Sequence, residues 1–263
     1  MKIRFNSIIG VAAVLAFVSL AVSLMTPSAV SQDRGVAADP KLTGPAPRLP
    51  NGKPDLSGVW ERPYVPDMSK DGNGQKGAGE LPFTAWGKQQ WESYDVAQGD
   101  YAGSCMPFGM TRSMAVHPLQ IIQNNDNLAF LFEQSSWFHV VQTNGKPLDP
   151  EMPPAWFGYS AGHWDGDTLV VETANFNGYT RLDTIGHPHS NQLKLTQTFK
   201  RLDYGHIQYT VTVDDPKTYT RPWKNERTFT FRPDWQLMEY SCLENNRDLF
   251  DGHIKPWRPP VSN

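Results

Sequence analysis

From residue 118 onward the sequence alternates with a period of two, which confines this part of the chain to half-buried strands. His206-Ile-Gln-Tyr-Thr-Val-Thr-Val213 puts Ile207, Tyr209, Val211 and Val213 on one face. Phe229 and Phe231 alternate with Thr228 and Thr230 in the same way. Clean alternation means one wet face and one buried face, the signature of an antiparallel sheet. The predicted strands are 119–123, 128–133, 137–142, 158–165, 167–173, 192–199, 206–213, 226–232 and 235–240. Turn chemistry separates them at Asn124-Asn-Asp-Asn127, Asp165-Gly166, Leu202-Asp-Tyr-Gly205 and Arg232-Pro-Asp-Trp235. The single predicted helix, 84–97, starts at a Thr84 cap and gathers Phe83, Trp86, Gln90, Trp91 and Tyr94 near one face. About nine short strands with one helix point to a mainly β fold, an up-and-down antiparallel barrel, because ring closure removes exposed edges and leaves a mouth for a ligand. The alternative is a two-sheet β-sandwich.

One connection does not fit a meander of tight turns. The hairpin Gly158 to Thr173 is followed by a long loop, 174–191, before the next strand, and such loops in compact domains are commonly functional. It contains Arg181, Asp183, His187 and His189. Histidine titrates near neutral pH. Asp183, four residues before His187, can orient its imidazole, and Arg181 can hold a carboxylate or an oxyanion. The candidate catalytic residues are therefore His187, His189 and Asp183; the candidate ligand-binding residues are Tyr159, Trp164, Glu172 and Arg181. The competing reading pairs Arg181 with Asp183 on the surface, with no chemistry. His187-Pro-His189 has the spacing of two ligands on one strand face, and Glu172, His206 or Glu239 would have to complete a metal site. Pro188 argues against strand pairing there, so no metal and no other cofactor is expected. Gly158-Tyr-Ser160-Ala-Gly162 matches the G-x-S-x-G of serine hydrolases, which needs a strand-to-helix turn. Here a hairpin follows, so the match is read as coincidence.

The N-terminus reads as an export signal over 1–31. Lys2 and Arg4 precede an apolar run from Ile8 to Met25, and Ala29-Val-Ser31 offers a cleavage site. An uncleaved anchor is the alternative, weakened by Gly10, Ser19 and Ser23. Removing 1–31 takes away two basic residues and no acid, leaving 22 basic against 27 acidic residues and a net charge of −5. No basic footprint for nucleic acid exists, and no membrane partner is expected once the signal is gone. The Pro-rich lead, 32–54, reads as a surface arm. Residues 55–263 read as a single barrel domain, periplasmic or extracellular. In an exported chain the two cysteines, Cys105 and Cys242, are expected to form a disulfide.

Leu49-Pro-Asn-Gly-Lys-Pro-Asp-Leu-Ser-Gly-Val-Trp60, Gly166-Asp-Thr-Leu-Val-Val-Glu-Thr173, Gly186-His-Pro-His-Ser190, Asp214-Asp-Pro216 and Glu239-Tyr-Ser-Cys-Leu-Glu-Asn-Asn246 together resemble a group of exported bacterial proteins of unknown function. The G-x-W-x-G-D-T-L hairpin is also similar to those of lipocalin-like barrels. The resemblance implies the fold and the export, and no catalytic residue. Nine Trp, nine Tyr and thirteen Phe supply the apolar surface. Trp137, Phe138, Trp156, Phe157, Trp164 and Phe199 are the candidate wall or core. The first functional expectation is a lipocalin-like barrel that holds a small, partly apolar molecule in an aromatic-lined cavity. The second is an acid–base enzyme (lyase, isomerase or hydrolase) on the same barrel, using His187 or His189 with Asp183. The third is a structural or interaction protein.

Overall fold

The computed structural model describes residues 42–72, 74–95, 100–244 and 246–259. The predicted export signal and the start of the predicted Pro-rich lead lie outside the described residues.

Nine strands close on themselves. In ring order they are β1 (Gly58–Glu61), β3 (Leu119–Gln123), β4 (Asn127–Phe132), β5 (Phe138–Gln142), β6 (Tyr159–Asp165), β7 (Thr168–Ala174), β8 (Lys194–Arg201), β9 (His206–Asp214) and β10 (Trp223–Phe231). Trp60↔Phe231 and Glu61↔Thr230 close the ring between β1 and β10. A tenth strand, β2 (Gln75–Lys76), continues along the same edge of β10 where β1 stops, through Glu226↔Lys76 and Arg227↔Gln75.

The barrel is thus the expected one, with three differences of detail. First, β5 and β6 run parallel, through Val141↔Ser160 and Gln142↔Ala161. Parallel neighbours require a crossover, and 143–158 supplies it. Second, Trp235–Tyr240 forms no strand. Its place beside β10 is taken by β1 and β2, which are too short to show a period. Third, the predicted helix is α1 (Ala85–Glu92), capped by Thr84 Oγ1 on the Gly87 N–H at 3.0 Å; residues 96–99 lie outside the described set. Two single-turn helices accompany it, α2 (Met110–Ser113) and α3 (Arg247–Phe250). A Cβ on Gly87 would lie 2.1 Å from the Thr218 carbonyl, so α1 rests directly on the β9–β10 turn.

Inward side chains line the barrel by alternation. Ile207, Tyr209, Val211 and Val213 are all buried, as their spacing predicts. An aromatic stack crosses the interior: Phe130–Phe199 at 5.3 Å, Phe199–Tyr209 at 5.0 Å and Tyr209–Phe229 at 5.1 Å between ring centroids. Such pairs add about 0.5–1.5 kcal/mol each beyond burial. Of the six aromatics proposed for the wall or core, Phe138 is not inside; it is 66% exposed on the outer face of β5.

The two ends differ. At the lower end, the N-terminal arm is fastened across the β6–β7 turn by the Arg48–Asp167 ion pair, 2.5 Å, and by Lys53 Nζ to the Gly166 carbonyl, 3.1 Å. Both charges of the ion pair are about half exposed, so solvent screens it and it contributes little. The upper end, where β4 and β7 finish and β5 and β8 begin, is covered by 62–70, by the segment bearing α1 and α2, and by loop 175–193.

Cys105 and Cys242 form the expected disulfide, with Cα atoms 5.5 Å apart, across a sequence separation of 137. It holds the arm after β10 against 100–105, where Asn246 Nδ2 also donates to the Gly103 carbonyl and the Trp257 N–H to Ser104 Oγ. In the chain-entropy picture this link is worth roughly 5 kcal/mol. Urea unfolding with and without reductant checks this: Cys105→Ser and the reduced protein should lose a similar, large part of their stability.

Candidate functional site

Loop 175–193 is a packed plug, not an open rim. Residues 182, 183 and 186–190 are all buried. Its organising group is Asp183, which is 0% exposed. Oδ1 accepts the N–H groups of Gly186 and His187, each at 3.1 Å. Oδ2 accepts the Met68 N–H at 2.8 Å and meets His187 Nδ1 at 2.6 Å. One carboxylate thus folds its own loop, ties it to 62–70 and fixes an imidazole. Nε2 is the ring nitrogen that Asp183 leaves unengaged. The His187 ring stacks on Trp91 of α1, with centroids 4.5 Å apart at 25°. Gly186, at φ +99°, lies so close to Tyr94 that a Cβ would stand 2.1 Å from the ring. Only glycine suits both demands.

The sequence pair Asp183 and His187 is therefore brought together, and His189 is not. His189 Nδ1 donates to the Ser190 carbonyl at 2.9 Å, and Nε2 meets Thr180 Oγ1 at 2.6 Å. Both ring nitrogens are spent, and burial pushes its pKa down to about 4. The two histidines sit on a turn rather than a strand, with Arg181↔Pro188 as an isolated bridge and Pro188 O accepting the Tyr219 hydroxyl. Arg181 makes no ion pair with Asp183; its guanidinium lies 4.4 Å from the Tyr94 ring centroid. The four residues proposed for ligand binding do not share one place. Arg181 belongs to the plug and Tyr159 begins β6 at the upper end. Glu172 faces outward on β7, exposed, and Trp164 packs near the lower turn with Lys53 Nζ 5.8 Å from its ring.

The metal partners suggested by sequence also stay apart, since His206 pairs with Asp203 at 2.9 Å and Glu172 and Glu239 are exposed. A different trio assembles instead: ligand-capable atoms of Asp67, Asp183 and His187 lie within 4.8 Å of one another. Asp67 Oδ1 stands 3.9 Å from His187 Nδ1 and already accepts the Ser69 N–H and hydroxyl. With both Asp183 oxygens engaged as well, the trio is built as a hydrogen-bonded brace.

A second polar arrangement lies inside the barrel, one link per strand. His139 Nε2 on β5 meets Ser160 Oγ on β6 at 2.7 Å. Ser160 Oγ meets Thr173 Oγ1 on β7 at 2.7 Å. Gln197 Nε2 on β8 donates to Thr173 Oγ1 at 3.0 Å, and the Tyr209 hydroxyl on β9 donates to Gln197 Oε1 at 2.9 Å. Arg227 on β10 is the register partner of Tyr209 and lies over its ring, 5.6 Å from the centroid. Ser160, the serine of the hydrolase-like match, is one member of this belt in mid-strand. No strand-to-helix turn surrounds it.

The belt and the plug touch. The Met68 carbonyl, in the same residue as the N–H that Asp183 accepts, takes Asn225 Nδ2 at 3.1 Å, and Asn225 Oδ1 takes Arg227 Nε at 2.8 Å. Sequence reasoning missed Asp67, Arg227 and the belt. The inward phase of β10, read from Phe229 back to Trp223, was the available signal for Asn225 and Arg227.

Comparison with protein-family models, characterised proteins and solved structures returns no match.

Burial also pushes His139 down to about 4. Both histidines are neutral in the fold, whereas an unfolded histidine protonates near 6.5. Below that pH the unfolded state takes up protons that the folded state refuses. Stability should therefore fall between pH 6.5 and about 4, by up to about 3 kcal/mol per histidine. Urea titrations across this range check it, and His189→Gln should reduce the slope by about one proton.

Proposed function

We propose that this protein is an exported barrel that binds a small, partly apolar molecule in its interior. The observation that supports this is the polar belt. Five side chains, from His139 to Tyr209, bond in series between buried aromatic rings. Apolar residues of the same shape would hold the barrel about as well, since exchanging both partners of a buried hydrogen bond for apolar groups is close to neutral. A polar layer in an aromatic interior gives a ligand both an apolar bed and directional partners. Barrels of about this strand number include ones that hold one small ligand. The disulfide fits an oxidising compartment, and among the described residues no helix is long and apolar enough to cross a membrane.

A second reading has its own support. The 2.6 Å contact between Asp183 and His187 Nδ1, with Asp183 held by three backbone N–H groups, is the arrangement that orients a general base. In that reading a substrate proton goes to His187 Nε2 beside Trp91.

Equilibrium dialysis of the oxidised protein against a small-molecule extract, with mass spectrometry of what is retained, tests the first reading. Wild type should retain a compound at about one per chain, and the Thr173→Val, Gln197→Leu double variant should retain much less. Equal retention by both sinks it. His187→Ala separates the two readings: a binder keeps its affinity, whereas an acid–base enzyme loses about 10²–10⁴-fold in turnover.

A further inference from the structure

Two arginines meet at the upper end of the barrel interior, and neither makes a salt bridge among the described residues. Arg62 directly follows β1 and is 7% exposed; Arg227 is on β10 and 1% exposed. Both reach the same single turn, α2. Arg62 Nη1 donates to the Ser113 carbonyl, and Arg227 Nη1 to the carbonyls of Thr111, 3.3 Å, and Met114, 2.9 Å. These contacts satisfy the last carbonyls of α2, yet they leave three buried donors with no acceptor: Arg62 Nε, Arg62 Nη2 and Arg227 Nη2. The ion pairs of the described residues that involve arginine, Arg48–Asp167 and Arg232–Glu61, include neither of them. The nearest acids are committed elsewhere, Asp183 to its four donors and Glu133 to the Met238 N–H with His117 at 3.9 Å. The cost of the arrangement shows in Arg62, whose pKa is pushed down to about 9 by burial and by the like charge of Arg227. Buried charges persist when something pairs with them.

The free donors have a shape. Nε and Nη2 lie on one edge of the Arg62 guanidinium and form a planar fork that matches the two oxygens of a carboxylate. Arg227 Nη2 adds a third donor. Three donors suit two oxygens and one negative charge, and would leave a four-oxygen anion underserved. We infer that Arg62 and Arg227 form the docking site for the carboxylate of a small organic acid, whose apolar remainder lies among the interior aromatic rings. The inference rests on the reading of the barrel as a small-molecule binder and names the chemical class it takes.

Isothermal titration calorimetry of the full, oxidised protein at constant ionic strength tests it, with benzoate and octanoate, their neutral amides benzamide and octanamide, and sulfate. At least one carboxylate should bind at one per chain and its amide at least about 10-fold more weakly. Arg62→Lys keeps the charge and removes the fork, and should weaken the carboxylate about 10–100-fold. Arg62→Met should abolish carboxylate binding while the melting temperature of the ligand-free protein stays level or rises, because an unpaired buried charge has been removed. Acids and amides that bind alike overturn the carboxylate site and leave the barrel a binder. Sulfate binding as tight as that of both carboxylates overturns the organic acid. Silence of every probe overturns this inference and the binding reading together. Carboxylate affinity that survives in Arg62→Met, or a large fall in melting temperature of that variant, assigns the arginines to α2 alone and overturns the site.

Discussion

Closure of the ring by two residue pairs, Trp60↔Phe231 and Glu61↔Thr230, is the contact on which the other features depend. β1 is only four residues long, so this seam is short, and β2 extends it along β10. Trp60 is fully buried at the seam, 5.2 Å from the Phe231 ring, and its indole N–H is satisfied by the Leu56 carbonyl at 3.0 Å. With the seam closed, the interior is cut off from water. Every inward polar group must then find a partner inside. The belt from His139 to Tyr209 meets that demand link by link, and the arginine pair does not.

The polar interior and the loop plug are mechanically one unit. Met68 gives its N–H to Asp183 and its carbonyl to Asn225, which holds Arg227 Nε. A shift of the plug by a fraction of an ångström is therefore felt at the guanidinium. Packed, hydrogen-bonded networks of this kind deform as units and not one bond at a time. Asp215 ties the neighbouring turn in the same style, accepting Ser190 N–H and Oγ together with Thr218 Oγ1. Two buried carboxylates, each holding a turn, fix the upper end.

Sequence patterning revealed the long strands well, because β7 to β10 are long enough for a period of two to stand out. It revealed β1 and β2 poorly: four residues with a glycine and two residues alone have no period. Trp235–Tyr240 alternates like a strand, but pairing is decided by which segment reaches the edge of β10, and that edge was taken. The Asp183–His187 contact was legible because it is local, four residues apart. The separation of His187 from His189 was not, since it depends on Thr180 and on a turn geometry that two residues of spacing do not encode. Arg227 was hidden by expectation: charged residues are rarely buried without a partner, so a phase that puts one inside is easily dismissed. Asp67 comes from a segment over 100 residues before the loop it serves, and Arg62 reaches a turn 51 residues further on, distances that local pattern cannot span.

The position of the seam also bears on the order of events during synthesis. β1 lies near the start of the described chain and β10 near its end, so the wall can be completed only after residue 231 is free. Until then the chain is an open, growing sheet whose first strand waits for its last. A chain of this topology cannot lock its ring early, so closure is the last event in completing the wall.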